Sequence, residues 1–186
     1  MKRGCRRMSF RNRIVWMKIL LPLLLVAISV TAQQGPRPAP EFHFHMLQGP
    51  DTLLSSFKGK VVMVAFLNTG CTHCQHFAQE LSQFQKEYAP KGVQVVAAVF
   101  DNGAKAGLQS FRDQFVRGFP IGYSDEKTVL AWLGQPVEEG YFVPIVVFVN
   151  RRGMIVSQHL GDDNLFQDPE ANIRHKLDLL LKQPAK

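Results

Sequence analysis

The chain has 186 residues, of which 46% are hydrophobic and 20% charged. That balance excludes disordered and fibrous classes and leaves room for one domain with a sizeable core. The formal net charge of +7 does not mark a nucleic-acid binder, because Lys2, Arg3, Arg6, Arg7, Arg11, Arg13 and Lys18 supply all of it, and the remainder has as many Lys and Arg as Asp and Glu.

These seven cations form a basic stretch with no acid in it. An apolar run from Ile19 to Val30 follows, broken only by Pro22 and Ser29, and small residues close it at Val30-Thr31-Ala32. This is the order of a secretory signal, with a cleavage site after Ala32. The run falls short of the roughly 20 residues that span a bilayer. Extending it back to Ile14 meets Lys18. Residues 1–32 are therefore read as a signal peptide, or as an uncleaved N-terminal membrane anchor with its positive flank cytoplasmic. Either reading places the product outside the cytoplasm, in the periplasm or tethered to the inner membrane. Residues 33–41, with Pro36, Pro38 and Pro40, read as a flexible linker. Residues 42–186 read as the folded domain.

Along that domain, Phe42-His43-Phe44 suits a short edge strand. Lys58-Gly59-Lys60 makes a turn before Val61 to Leu67, whose continuous apolar run fits a central parallel strand covered on both faces. Thr72 to Tyr88 predicts a helix, with Phe77, Leu81, Phe84 and Tyr88 near helical spacing and Pro90 and Gly92 as its stop. Val93 to Phe100 is a second buried strand and Ala104 to Val116 a second helix. Phe119 to Gly122 forms a short strand, Glu126 to Leu133 a short helix, and Gly134 to Gly140 a loop. Ile145 to Val149 is a third strong strand, turned by Asn150-Arg151-Arg152-Gly153 into an antiparallel partner, Met154 to Leu160. A last amphipathic helix covers Glu170 to Leu180. Buried strands alternating with helices predict an α/β fold with a mixed central sheet and helices on both faces.

Three cysteines are present. Cys5 lies in the leader, which leaves Cys71 and Cys74 in the mature chain. One vicinal pair is not a disulfide scaffold, and a bridge closing so small a loop gains little chain entropy. Cys71-Thr72-His73-Cys74 directly follows a buried strand and opens a helix, the setting of a thioredoxin-like redox motif. Two intervening residues bring the sulfurs within reach across the first helical turn. Unpaired amides and the helix dipole there favour a thiolate. Cys71 is thus expected as the exposed attacking thiol and Cys74 as the buried resolving thiol. Thr72 and His73 are expected to set the redox poise, His73 by stabilising the Cys71 thiolate, which makes it a better leaving group.

The stretch from Phe57 through Gly59-Lys60-Val61-Val62 to Cys71-Thr72-His73-Cys74 resembles the thioredoxin-like superfamily. It looks most like the exported branch that includes cytochrome c maturation and ResA/TlpA-type thiol-disulfide oxidoreductases, and the likeness extends over about Glu41 to Lys182. The resemblance implies a thioredoxin-like fold with a cis peptide at Val143-Pro144. It implies that Pro144 packs beside the cysteines and that the Val143 backbone contacts the substrate. It also implies protein thiols and disulfides as substrates and a membrane or exported redox partner, with a monomer as the expected state. Thiol chemistry of this kind needs no nucleotide, flavin or metal cofactor. Two positions depart from the family pattern. Gly70 stands where a tryptophan usually precedes the first cysteine, which opens the site, and Thr72-His73 replaces the usual Pro-containing pair. Reductase, oxidase and isomerase directions all remain open on these residues.

Two other readings compete. A peroxiredoxin-like peroxide reductase needs a threonine three residues before its reactive cysteine and a proline four before that, where this chain has Asn68 and Val64. A copper- or metal-handling thiol protein would draw on Cys71, Cys74, His73 and His76, but a structural zinc site needs four convergent ligands and there is no second C-x-x-C. His43, His45, His159 and His175 read as ordinary surface or core residues.

Overall fold

A computed structural model describes residues 35–136 and 140–184. The reading of residues 1–32 as a signal or anchor lies outside them. The described residues form eight strands and four α-helices, in chain order β1 (Arg37–Pro38), β2 (His43–Phe44), β3 (Thr52–Leu53), β4 (Val61–Leu67), α1 (Thr72–Tyr88), β5 (Val93–Val99), α2 (Ala104–Phe115), β6 (Ile121–Tyr123), α3 (Glu126–Leu133), β7 (Ile145–Val149), β8 (Met154–His159) and α4 (Pro169–Lys182). The main sheet runs β1-β8-β7-β4-β5-β6, and β2 pairs with β3 in a separate two-stranded sheet. Strands β4, β5 and β6 are parallel, while β7, β8 and β1 are antiparallel to their neighbours. This is the mixed α/β sandwich expected of a thioredoxin fold.

Strand β4 lies at the centre, with all seven residues buried, because it is covered on both faces. Its odd residues Val61, Met63, Ala65 and Leu67 meet α1, α2 and α4 through Phe77, Leu81, Leu108, Phe111, Ile173 and Leu177. Its even residues Val62, Val64 and Phe66 meet α3 and the N-terminal segment through Val129, Leu130, Trp132, Phe42 and Phe44. Helices do cover both faces, three on one and α3 on the other. Among the described residues no helix is long and apolar enough to cross a membrane.

Several predicted boundaries move by a residue or two, and two of the shifts have clear local reasons. The expected strand Phe119 to Gly122 forms at Ile121–Tyr123. Pro120 has no N–H to give the ladder, although its carbonyl still accepts from Ala97 N at 3.1 Å. Helix α4 starts one residue earlier than expected, at Pro169, because the Asp168 side chain accepts from Ala171 N and a proline suits the first helical position.

The flexible-linker reading of residues 33–41 does not hold for residues 37–40. Arg37 and Pro38 pair with Ile155 and Met154 of β8. Ala39 N donates to Gly153 O at 2.9 Å, and Trp132 Nε1 donates to Pro40 O at 2.9 Å. Alternating prolines suit this role, since an edge strand leaves every second N–H unused. The same composition that reads as a tether therefore builds the sheet's outer strand.

Candidate active site

The site forms where β4 and β5 end and α1 begins, at the carboxyl edge of the parallel strands. Leaving β4, the chain turns through Asn68, Thr69 and Gly70 to Cys71, the N-cap of α1. Cys71 Sγ accepts from Cys74 N at 3.4 Å, so the sulfur occupies the place a capping oxygen takes elsewhere. The helix N-terminus and this N–H both favour negative charge on Sγ. Cys71 is half-buried rather than fully exposed, and both thiols are free.

Cys74 is the third residue of α1, in its first turn, and is completely buried. Burial pushes its thiol well above the ordinary range. The Asn68 N–H, 3.5 Å from its sulfur, pulls the other way, and Cys71 and Asp101 push it further up. The two sulfurs are therefore unequal, one at a charge-stabilising helix terminus and one held protonated in the core.

An acid not singled out in the sequence holds the loop before Cys71. Thr69 N and Thr69 Oγ1 each donate to an Asp101 carboxylate oxygen at 2.7 Å, and Gln75 Nε2 donates to Thr69 O at 3.0 Å. Asp101 stands just past β5. The signal for it was positional: a lone acid ending the apolar run Val93 to Phe100, on the strand edge where α/β folds place their sites. On the other side of Thr69, Gly107 of α2 packs so closely that a Cβ there would lie 3.1 Å from Thr69 Oγ1. At Gly70 a Cβ meets nothing within 4 Å, so the approach to the cysteines is open at that position.

Val143–Pro144 is cis, as the resemblance implied. With Gly161 and Phe166 it forms one wall of a groove whose other wall is a stripe of α1: His73, His76, Phe77 and Glu80. Phe77 and Phe166 meet edge-to-face across it at 5.5 Å. Gly161 N donates to Phe142 O at 2.9 Å, and a Cβ at Gly161 would lie 2.7 Å from Val143 O. Only a glycine fits there without moving the proline loop. Thr72 and His73 are exposed. Among the described residues His73 makes no hydrogen bond to either sulfur, and it faces the groove instead. The remaining histidines lie elsewhere: His45 Nδ1 contacts Asp51 at 2.7 Å, and His159 Nδ1 lies 3.0 Å from Asp163. Among the described residues no three His, Cys, Asp or Glu side chains converge to hold a metal.

The chain is similar to known thiol-disulfide oxidoreductases. Thiol-disulfide oxidoreductase ResA of Bacillus thuringiensis subsp. konkukian is 24% identical over 162 residues, covering 82% of this chain and 90% of that protein. The ResA of Geobacillus kaustophilus is 28% identical over 133 residues, covering 66% and 76%. Among solved structures, a thiol:disulfide interchange protein of the thioredoxin family from Chlorobium tepidum TLS superposes with a TM-score of 0.65 at 20% identity, over 81% of this chain and 99% of that one. The last likeness is one of fold. A vicinal cysteine pair in a thioredoxin fold, in a chain related to thiol-disulfide oxidoreductases, supports redox activity on protein cysteines. The Redoxin family model matches residues 34–174, a span that takes in the whole sheet, the cysteine pair and the proline loop, and the chain belongs to that family.

Proposed function

We propose that the protein is a thiol–disulfide oxidoreductase working outside the cytoplasm, with Cys71 as the attacking thiol and Cys74 as the resolving thiol. The observation that carries this reading is the inequality of the two sulfurs. Cys71 Sγ receives the Cys74 N–H at 3.4 Å, while the Cys74 thiol is buried and kept protonated.

In the reductive direction the Cys71 thiolate attacks one sulfur of a substrate disulfide. A Cys71–substrate bond forms, and the second substrate sulfur leaves as a thiolate. Cys74 then loses its proton and attacks Cys71 Sγ, which releases the first substrate sulfur as a thiolate and leaves the Cys71–Cys74 disulfide. Two electrons pass from the protein to the substrate. The oxidative direction runs the same bonds backwards. Thr72 and His73 border the reacting sulfurs, and the Val143–Pro144 loop is the surface against which the substrate strand lies. A membrane-associated or exported thiol protein would restore the pair. The basic leader and apolar run support delivery across a membrane, with residues 1–32 as signal or anchor and the folded domain after them. Peroxide reduction has less support, because buried Val64 and the turn residue Asn68 stand where that chemistry needs proline and threonine.

The test is trapping. Cys74→Ser should accumulate mixed disulfides through Cys71 with a protein disulfide substrate, and Cys71→Ser should lose turnover altogether. A Cys71→Ser protein that still reduces insulin disulfides overturns the assignment. The pair's reduction potential then gives the direction. A value near about −270 mV assigns a reductant, and one near about −120 mV a disulfide donor.

A further inference from the structure

Glu80 is the one acid in the α1 wall of the groove. It is half-buried, and its Oε2 is shut off from water with no hydrogen-bond partner. Among the described residues no Lys or Arg pairs with it. Arg174 is engaged by Glu170 at 3.0 Å and by Glu87. Glu170 itself is a second negative charge acting on Glu80. Burial and Glu170 together push the Glu80 carboxyl above the usual range, against a smaller opposing pull from His76. At one end the groove thus carries a half-buried carboxyl that, among the described residues, has no partner at Oε2. A carboxylate so placed costs free energy until a cation arrives.

The spacing relates that end to the redox pair. His73, between the two cysteines, marks the start of the groove, and Glu80 lies seven positions further along α1. A helix rises 1.5 Å per residue and Glu80 is nine positions beyond Cys71, so the two are about 13 Å apart along the axis, which an extended strand covers in about four residues. Resting on the oxidoreductase reading above, we propose that Glu80 is a specificity-determining residue: it receives a Lys or Arg side chain of the substrate polypeptide, about four residues from the cysteine that Cys71 attacks. The aromatic floor of Phe77 and Phe166 takes the aliphatic stem of such a side chain while its charged head reaches the carboxylate. Disulfide substrates with a basic residue at that distance are favoured over those with a neutral or acidic one.

The test uses the full chain and sets of peptide disulfides that differ only in carrying Lys, Gln or Glu four residues to either side of the reacting cysteine. Wild-type protein should show kcat/KM about five- to tenfold higher for the Lys peptide than for the Gln peptide, mostly through KM, and the ratio should shrink with added salt. Glu80→Gln should bring the ratio to about one, and Glu80→Lys should turn the preference toward the Glu peptide. Equal rates for Lys and Gln peptides with wild type, or a Lys preference that survives in Glu80→Gln, overturns the proposal. Failure of the wild type to exchange with any of the peptides overturns instead the oxidoreductase reading on which it rests.

Discussion

The two faces of strand β4 are equally dry and differently built. On the odd face, Val61, Met63, Ala65 and Leu67 pack on aromatic and aliphatic side chains from three helices and lead to Cys74. On the even face, Phe66 sits among Phe42, Phe100 and Trp132, with ring centroids 5.2–6.3 Å apart in edge-to-face contacts. That face holds the N-terminal segment down and, among the described residues, carries no cysteine. The odd face hosts a buried thiol, a half-buried thiol, a glycine-lined open turn and a carboxylate without a partner. The comparison teaches a division of labour: one side of a single strand supplies packing, and the other tolerates groups that packing alone would disfavour.

The largest expected effect lies on the aromatic side. Phe66→Ala should destabilise the fold by about 3–5 kcal/mol, read as a lower urea midpoint with an unchanged slope. Thiol exchange per folded molecule should survive. Loss of exchange without loss of stability would break the comparison. On the redox side, Asp101→Ala leaves the Thr69 N–H without its partner and should cost about 1–3 kcal/mol. Because the same contact places the turn before Cys71, alkylation of Cys71 should slow as well, which no packing mutation on the other face should cause.

The smallest effect sharpens the contrast. Asp125 caps α3, accepting from Thr128 N at 2.9 Å and from Thr128 Oγ1 at 2.7 Å, and these bonds hold its carboxyl below the usual range. Asp125→Ala should cost about 1 kcal/mol. A carboxylate with a lowered folded pKa stabilises fully above its unfolded value, and that contribution fades as pH falls through the folded one. The stability curves of wild type and variant should therefore meet in acid, with exchange at neutral pH unchanged.

Much of this was legible in the chain. Val61 to Leu67, Val93 to Phe100 and Ile145 to Val149 announce buried strands by unbroken apolar runs, and Cys71-Thr72-His73-Cys74 announces the site by its place between strand and helix. What escaped were contacts between residues far apart in sequence. Nothing local ties Thr69 to Asp101, because each reads as an ordinary loop residue until β4 and β5 lie side by side. Glu80 reads as a solvated helix position until Phe166 and the Val143–Pro144 loop wall it in. Pro36 to Pro40 misled because proline-rich segments suit both tethers and sheet edges, and only the partner strand decides between them.

The pairing of β1 with β8 also sets an order of assembly. Arg37 Nη2 reaches Gln158 Oε1 across a separation of 121 residues. Contacts of such range form slowly, since their loop must close before they return any energy. In a chain delivered N-terminus first, β1 is the first strand to emerge and the last to find its neighbour. Until β8 arrives, the sheet has no outer rim on that side, and the first strand made serves as its final latch.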